Sequence, residues 1–332
     1  MKIAIWLPLV QGVAIGTMDS QPPLPPIAVS VCWSRSANDH SEPNQIVSHT
    51  FSLYFWPDTL EDMACGSTSK VKFDEADFFV HESGDGPALV CLHAGVADQR
   101  MFDDQHLSFS EVANVISYDR RGFGQTISQD VPFSHVDDLA AIMTTCKIET
   151  AVLVGCSQGG RIAIDFALKY PGRVSGLFLI APDVSGVPRF ELPQDLIALE
   201  EALKLAYEVE DLDRINELEA YAWLDGPRST FGRVTGPARE LFLEMNKTAL
   251  AHSELTEERK PQSAWARLAE IVVPVRVYCG DLDFPYMHEI AAYLANQTPH
   301  GEFVALRGVA HMPFLESPKL MNQTIEAFLK SR

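Results

Sequence analysis

The stretch that most restricts the fold is Val152-Leu153-Val154-Gly155-Cys156-Ser157-Gln158-Gly159-Gly160. Its first half is a short apolar run, as is typical of a strand buried on both faces. Its second half begins a helical pattern over residues 158–169, which stops at Tyr170-Pro171-Gly172. This order predicts a sharp turn with Ser157 at its corner. Gly155 and Gly159 fit such a turn because they remove side chains that would collide there.

Strand and helix patterns alternate on both sides of this turn. Helical patterns lie between the apolar runs, and Ser134 is placed to cap one of them. This alternation indicates a mostly parallel sheet with right-handed crossovers, so the predicted fold class is α/β. The predicted strands cover residues 71–80, 88–92, 112–118, 151–154, 174–180, 275–278 and 303–306.

The patterns divide the chain into three parts. Residues 1–65 contain a proline-rich run without a sustained period. We interpret them as an irregular extension, with a weak secretion signal or a gene-model artefact as alternatives. Residues 66–184 and 266–332 form the predicted α/β core. Residues 185–265 show helical patterns only, and we expect them to form a cap over the carboxyl edge of the sheet.

A serine at a strand-to-helix corner predicts a nucleophile, whereas the alternative is a glycine-rich turn with an idle serine. A serine hydroxyl needs a base, and the base needs an orienting acid. On this architecture the three follow in the order Ser, then Asp or Glu, then His. Ser157 is therefore the predicted nucleophile and His311 the predicted base, because His311 follows the strand at 303–306.

Three carboxylates are candidates for the acid. Asp283 is preferred because it stands three residues past Gly280, where a predicted strand ends, and precedes Phe284-Pro285. Asp281 is the second candidate, although it can instead hold the turn through its own backbone. Asp183, just past the strand at 174–180, is the third. The order of the triad along the chain does not separate them.

The negative charge of a tetrahedral intermediate needs two backbone N–H donors. Gln158, the residue after the nucleophile, is predicted to supply one. The other is expected from the loop after an early strand, at Gly95 or Val96. His93 in the same loop is interpreted as a residue that fixes the loop by hydrogen bonds rather than as a second base.

Composition excludes several classes of partner. The chain has 332 residues, with 26 Lys plus Arg against 45 Asp plus Glu and a formal net charge of −19. This charge repels phosphate, so we expect neither nucleic acid nor an anionic membrane as a partner. The six cysteines contain no C-x-x-C pair, which favours a reduced, cytoplasmic protein, with secretion as the alternative. The sequence carries no signal for an oligomeric state.

Five motifs in one order resemble the α/β-hydrolase superfamily. In the motif at residues 119–124, Asp119 and an arginine are expected to hold the loops at the sheet edge by charge-assisted hydrogen bonds. The chain has His93-Ala94 where the family usually has His-Gly, which leaves the second oxyanion donor open. The motifs are Leu92-His93-Ala94-Gly95, Asp119-Arg120-Arg121-Gly122-Phe123-Gly124, Gly155-Cys156-Ser157-Gln158-Gly159-Gly160, Gly280-Asp281-Leu282-Asp283 and Gly308-Val309-Ala310-His311.

Within that superfamily the chain is most similar to small esterases and enol-lactonase-type lactonases. The resemblance implies a nucleophile at Ser157, an acid at Asp283 and a base at His311, with no metal or organic cofactor. The predicted function is hydrolysis of a carboxylic ester or lactone through an acyl-enzyme. The alternatives are hydrolysis of a C–C bond of the β-diketone type by the same triad, or a non-catalytic ligand-binding role. Candidate pocket residues are Trp223, Tyr221, Phe231, Phe242, Met245 and Trp265, although we interpret most of them as residues of the helix-packing core.

Overall fold

The short apolar runs of the sequence form a single central sheet. The computed structural model describes residues 66–255, 257–259 and 262–332, and within these residues nine strands form one sheet. The interpretation of residues 1–65 lies outside the described part of the chain. The strands are β1 Ser67–Phe73, β2 Ala76–Ser83, β3 Ala88–Leu92, β4 Asn114–Tyr118, β5 Ile127–Ser128, β6 Ala151–Cys156, β7 Val174–Ile180, β8 Val275–Gly280 and β9 Gly301–Leu306.

Most of the sheet is parallel. The strand order is β1-β2-β4-β3-β6-β7-β8-β9, with β5 paired to β2. Pairing is parallel from β4 through β9, whereas β1, β2 and β5 pair antiparallel at one side. Every residue of β6 is buried, as expected for a strand covered on both faces. The predicted α/β fold with a mostly parallel sheet is confirmed.

Helices pack against this sheet between successive strands. The helix after β6 contacts β3, β6 and β7, and its observed range is the predicted one. None of the helices in the described ranges combines the length and the apolar character needed to span a bilayer. The helices are α1 Asp103–Phe109, α2 His135–Thr145, α3 Gln158–Lys169, α4 Ile197–Glu208, α5 Leu212–Glu219, α6 Pro237–Ala251, α7 Pro285–Gln297, α8 Pro313–Glu316 and α9 Pro318–Lys330.

The segment between β7 and β8 is helical, as predicted, with one local difference. The helical pattern of the sequence continues over residues 212–224, but α5 ends at Glu219 and Ala220–Asp225 forms a π-helix. Two hydrogen bonds connect the π-helix to the residues that follow it. The Tyr221 hydroxyl donates to the Pro227 carbonyl, and the Asp225 carboxylate accepts from the Val234 N–H. The division into a core at 66–184 and 266–332 and a cap at 185–265 stays a prediction.

One strand prediction was wrong at the start of the fold. Residues 71–80 were predicted as one strand, but the chain reverses at Asp74 and Glu75 to form the β1–β2 hairpin. Both turn residues adopt positive φ angles, 45° and 58°. A two-residue hairpin turn of this hand usually has Gly at its second position, where this chain has Glu75, so Asp74 alone gives a weak turn signal.

A buried arginine explains why the turn forms without glycine. Arg121 donates through Nη2 to the carbonyls of Phe73 and Asp74, at 3.2 and 2.7 Å. Its Nε and Nη2 also bind both carboxylate oxygens of Asp138 on α2, at 2.9 and 3.0 Å. Burial raises the pKa of Asp138 to about 6, with Arg121 opposing the shift. One guanidinium therefore joins the hairpin to α2.

This contact predicts a large loss of stability in Arg121→Ala. Breaking a buried ion pair costs about 3–5 kcal/mol, because the partner charge stays buried without compensation. Urea denaturation followed by circular dichroism measures the loss. Arg228→Ala is the matched control, because Arg228 forms the same two-point contact with Asp195 at an exposed position. Equal losses in the two variants would contradict the structural role of Arg121.

Candidate active site

Ser157 stands at a strained corner between β6 and α3. Its backbone has φ 52° and ψ −117°, a conformation that L-residues rarely adopt. A Cβ at Gly159 would lie 2.0 Å from the Leu92 carbonyl oxygen, and one at Gly155 would lie 2.7 Å from the Gly159 carbonyl oxygen. The Ser157 N–H donates to the Ile180 carbonyl at 2.9 Å, which ties the corner to β7. The turn has the form that the sequence predicted.

Asp283 and His311 form a buried pair beside this corner. His311 Nδ1–H donates to Asp283 Oδ2 at 2.7 Å, and the two residues are 2% and 6% exposed. The other carboxylate oxygen of Asp283 accepts from the Phe284 N–H at 2.7 Å. A histidine that donates from Nδ1 keeps Nε2 as an acceptor when neutral. The pair therefore offers a basic nitrogen whose orientation is held by a carboxylate.

The other two carboxylates have different partners. Asp281 is exposed, and its side chain accepts from the Gly308 N–H at 2.7 Å, which holds the loop that leads to His311. Asp183 accepts from the Val184 N–H at 2.8 Å and lies 3.7 Å from Arg161 Nε. Among the three candidates left open by the sequence, the carboxylate against His311 is that of Asp283.

The loop after β3 lies against the first residue of α3. A Cβ at Gly95 would be 2.7 Å from the Gln158 side chain, so glycine allows this approach. His93 Nδ1–H donates to the Ala94 carbonyl at 2.7 Å, and its Nε2 accepts from the Arg120 N–H at 3.1 Å. His93 thus fixes the loop, as expected. Burial and the nearby Arg120 cation hold the pKa of His93 well below its usual range.

The motif at residues 119–124 holds the neighbouring loops by hydrogen bonds, also as expected. Asp119 accepts from the N–H groups of Gln99 and Gln125 at 2.9 and 2.7 Å. The guanidinium of Arg120 donates to the carbonyl of Ala94 at 3.1 Å and to the side-chain oxygen of Gln158 at 3.2 Å. These bonds connect the sheet edge to the loop that was predicted to form the oxyanion hole.

The loop that carries His311 is tied to the helical segment between β7 and β8. The His311 N–H donates to the carbonyl of Trp223 at 3.2 Å, and the two rings lie 4.6 Å apart. Arg233 donates to the carbonyl of Leu224 at 2.8 Å and forms an ion pair with Glu316. Glu316 in turn accepts from the Ala310 N–H at 2.9 Å. The π-helix and the His311 loop are therefore connected by several polar bonds.

A cavity of about 310 Å³ brings part of the predicted site together. Ser157, Gln158 and His311 line it, whereas Gly95 and Val96 are not among its lining residues and Asp283 lies behind His311. Of the six candidate pocket residues, all in described segments, Trp223 is the one that lines the cavity. Its remaining lining residues are His135, Arg161, Asp183, Val184, Ser185, Gly186, Val187, Pro188, Arg189, Phe190, Leu192, Glu258, Tyr286, Met287 and Ile290.

Sequence reasoning missed the charged lining of this cavity. Arg161 lies four residues after Ser157, a spacing that places both on one side of a helix, so a signal for it was available. Glu258 had no such signal, because it reaches the cavity from a loop about a hundred residues away in the chain.

Comparison with known families identifies the relatives of this fold. The model of the alpha/beta hydrolase family matches residues 89–324. The chain belongs to this family. The predicted family, the fold and the assignment of the chain as a hydrolase are thereby confirmed.

Curated relatives of this alpha/beta hydrolase differ in their named reactions. A Bacillus subtilis (strain 168) protein with the provisional name 2-succinyl-6-hydroxy-2,4-cyclohexadiene-1-carboxylate synthase is 30% identical over 74% of this chain and 90% of its own. The 2-hydroxy-6-oxo-6-phenylhexa-2,4-dienoate hydrolase of Comamonas testosteroni is 26% identical over 67% of this chain and 82% of its own.

Among solved structures, a thermophilic esterase from Thermogutta terrifontis superposes with a TM-score of 0.65. It is 23% identical and covers 80% of this alpha/beta hydrolase and 98% of its own chain. At this identity the likeness shows the fold alone.

The Glu316 contacts predict that this side chain stabilises the His311 loop. In Glu316→Ala, Arg233 and the Ala310 N–H lose their partner, which we expect to cost about 1–3 kcal/mol. Thermal and urea unfolding measure the loss. Glu326→Ala is the control, since Glu326 pairs with Lys330 on an exposed face of α9. If both variants unfold like the parent protein, Glu316 does not hold the loop.

Proposed function

We propose that this alpha/beta hydrolase is a serine hydrolase of carboxylic esters or lactones. The observation that carries the proposal is the 2.7 Å hydrogen bond between His311 Nδ1 and Asp283, next to a cavity lined by both His311 and Ser157. This arrangement supports Ser157 as nucleophile, His311 as base and Asp283 as the acid that orients it.

The proposed reaction has two halves. His311 Nε2 accepts the proton of the Ser157 hydroxyl while the oxygen attacks the substrate carbonyl, and the same proton then passes to the leaving alkoxide. In the second half His311 deprotonates a water that attacks the acyl-enzyme carbonyl, and the same proton passes to Ser157 Oγ as the bond between Oγ and the acyl carbon breaks. For a lactone the leaving oxygen remains on the same carbon chain as the acyl group, so the second half releases a single hydroxy acid. Asp283 keeps its negative charge and stabilises the imidazolium that forms in each half.

The oxyanion of each tetrahedral intermediate is proposed to bind the Gln158 N–H and a second N–H from the loop at Gly95 or Val96. Gln158 begins α3, so the positive end of the helix favours negative charge at the same position. The contact between Gly95 and the Gln158 side chain supports this pairing of loop and helix. One oxyanion donor stabilises the transition state by about 3 kcal/mol.

A second candidate function is hydrolysis of a C–C bond next to a carbonyl. The Comamonas testosteroni relative supports it, because that protein is named as the hydrolase of an oxo-dienoate. A panel of p-nitrophenyl esters, lactones and β-diketones distinguishes the candidates. Cleavage of diketones without turnover of any ester would replace the first proposal by the second.

Ser157 is expected to react with a small fluorophosphonate. Intact mass spectrometry should find one adduct on the parent protein and none on Ser157→Ala, since the probe reports an activated serine. Ser175→Ala is the control and should be labelled like the parent, because Ser175 is an exposed residue of β7. An adduct retained on Ser157→Ala would contradict the proposed nucleophile. A folded parent protein that stays unlabelled would favour the ligand-binding alternative.

Asp283→Asn is expected to lower kcat for a p-nitrophenyl ester by about 10⁴-fold. The amide no longer selects the required tautomer of His311, nor does it stabilise the imidazolium. Asp281→Asn removes a carboxylate of the same loop that contacts Gly308 rather than His311, so its effect should be far smaller. Equal effects of the two substitutions on kcat would disprove the assignment of the acid.

A further inference from the structure

A buried ion pair lines the cavity and has no role in the proposed triad. Arg161 on α3 donates through Nη1 and Nη2 to the two carboxylate oxygens of Glu258, at 2.9 and 3.2 Å. The side chains are only 10% and 19% exposed, and both residues line the cavity with Ser157 and His311. This two-point geometry is the strongest that an arginine forms with a carboxylate.

The positive charge of Arg161 is already balanced inside the protein. A second carboxylate, that of Asp183, lies 3.7 Å from Arg161 Nε. These carboxylates raise the pKa of Arg161 against the effect of burial. His135, which also lines the cavity, is held neutral because burial and nearby cations lower its pKa well below the usual range. A carboxylate on the substrate would therefore be added to the carboxylates of Glu258, Asp183 and Asp165, which already act on Arg161.

The other charged groups near the cavity do not supply a positive charge that could bind a substrate carboxylate in place of Arg161. Arg189 lies at the exposed rim, where water and salt screen its charge. The buried guanidinium of Arg120 lies close enough to Arg161 and Glu258 to interact with both charges. The carboxylate of Asp165 interacts with Arg161. Burial raises the pKa of Asp165 to about 6.

The cavity also has many apolar lining residues, and it is small. Its whole volume of about 310 Å³ lies near the lower end of the range of small-ligand sites, about 300–1,000 Å³. These apolar side chains suit a short hydrocarbon acyl chain of a substrate rather than an acyl chain that ends in a charged group. Its apolar lining consists of Val184, Val187, Pro188, Phe190, Leu192, Trp223, Tyr286, Met287 and Ile290.

We propose that the Arg161–Glu258 ion pair makes the cavity selective for uncharged esters with a short apolar acyl group, and that Glu258 is the residue that rejects carboxylate-bearing substrates. Glu258 occupies the position on Arg161 that a substrate carboxylate would need. An anionic substrate can bind there only if it displaces Glu258 and leaves that carboxylate without its partner, which costs free energy in a buried site. The inference rests on the proposed ester hydrolysis and names its substrate class.

Two esters with the same leaving group test the inference. p-Nitrophenyl pentanoate and mono-p-nitrophenyl glutarate differ mainly in that the glutarate chain ends in a carboxylate. We expect the parent protein to prefer the pentanoate ester by about 100-fold in kcat/KM, because a like charge in a buried site is strongly disfavoured. In Glu258→Gln this preference should fall by about tenfold or more, since Arg161 is then free to bind the glutarate carboxylate.

Glu257→Gln is the matched control for this experiment. Glu257 is exposed, stands next to Glu258 and changes the net charge by the same amount when substituted. The preference of Glu257→Gln for the pentanoate ester should equal that of the parent protein. This result separates the effect of the ion pair from the long-range repulsion of an anionic substrate by a chain with net charge −19. Thermal unfolding of each variant shows whether it is folded.

The outcomes separate this inference from the proposed function. A parent protein that cleaves the glutarate ester as well as the pentanoate ester overturns the inference, even if Glu258→Gln fails to fold. An unchanged preference in folded Glu258→Gln also overturns it. Fluorophosphonate labelling of Ser157 without turnover of either ester overturns the substrate class and leaves the nucleophile in place. Absence of both labelling and turnover rejects the proposed function, and this inference with it.

Discussion

The corner at the proposed nucleophile depends on a close backbone approach between the first turn of α3 and the end of β3. The Gly159 Cα lies so near the Leu92 carbonyl that a Cβ would be 2.0 Å from its oxygen. This approach allows β6 to turn into α3 at Ser157, which adopts a backbone conformation that costs about 1–3 kcal/mol. Hydrogen bonds offset the strain, because the Ser157 N–H donates to Ile180 and the Ser157 carbonyl accepts from Asp183 N–H. The orientation of the hydroxyl follows from backbone packing rather than from side-chain choice.

Three consecutive residues after β4 hold the surroundings of that corner. Asp119 binds the backbone of two loops, Arg120 binds the loop after β3, and Arg121 binds the β1–β2 hairpin and α2. Each of these side chains is at most 2% exposed. Buried charges add little net stability against an apolar replacement, but they define one arrangement because each donor has few acceptable partners. The short polar motif thus determines the relative positions of elements distant in sequence.

Local signals explain what the sequence could predict. The elbow, the range of α3 and the buried β6 depend on neighbouring residues, and the order of the motifs identified Asp283 and His311 as candidates. The hairpin at Asp74 was missed because its turn is stabilised by Arg121, 47 residues away. Glu258 was missed for the same reason, since its role appears only when a distant loop meets α3. Tertiary contacts therefore account for the errors, whereas local patterns account for the successes.

The π-helix Ala220–Asp225 connects the helical segment between β7 and β8 to His311. Such wide turns are rare and occur often at functional sites. Here the turn presents both the Trp223 ring and the Trp223 carbonyl to His311, while Arg233 bonds the end of the turn to Glu316 in the next loop. A displacement of the turn must break these bonds or carry the histidine with it. The helical segment and the orientation of the imidazole are thus mechanically coupled, so changes in that segment act on His311 even when they do not touch the cavity.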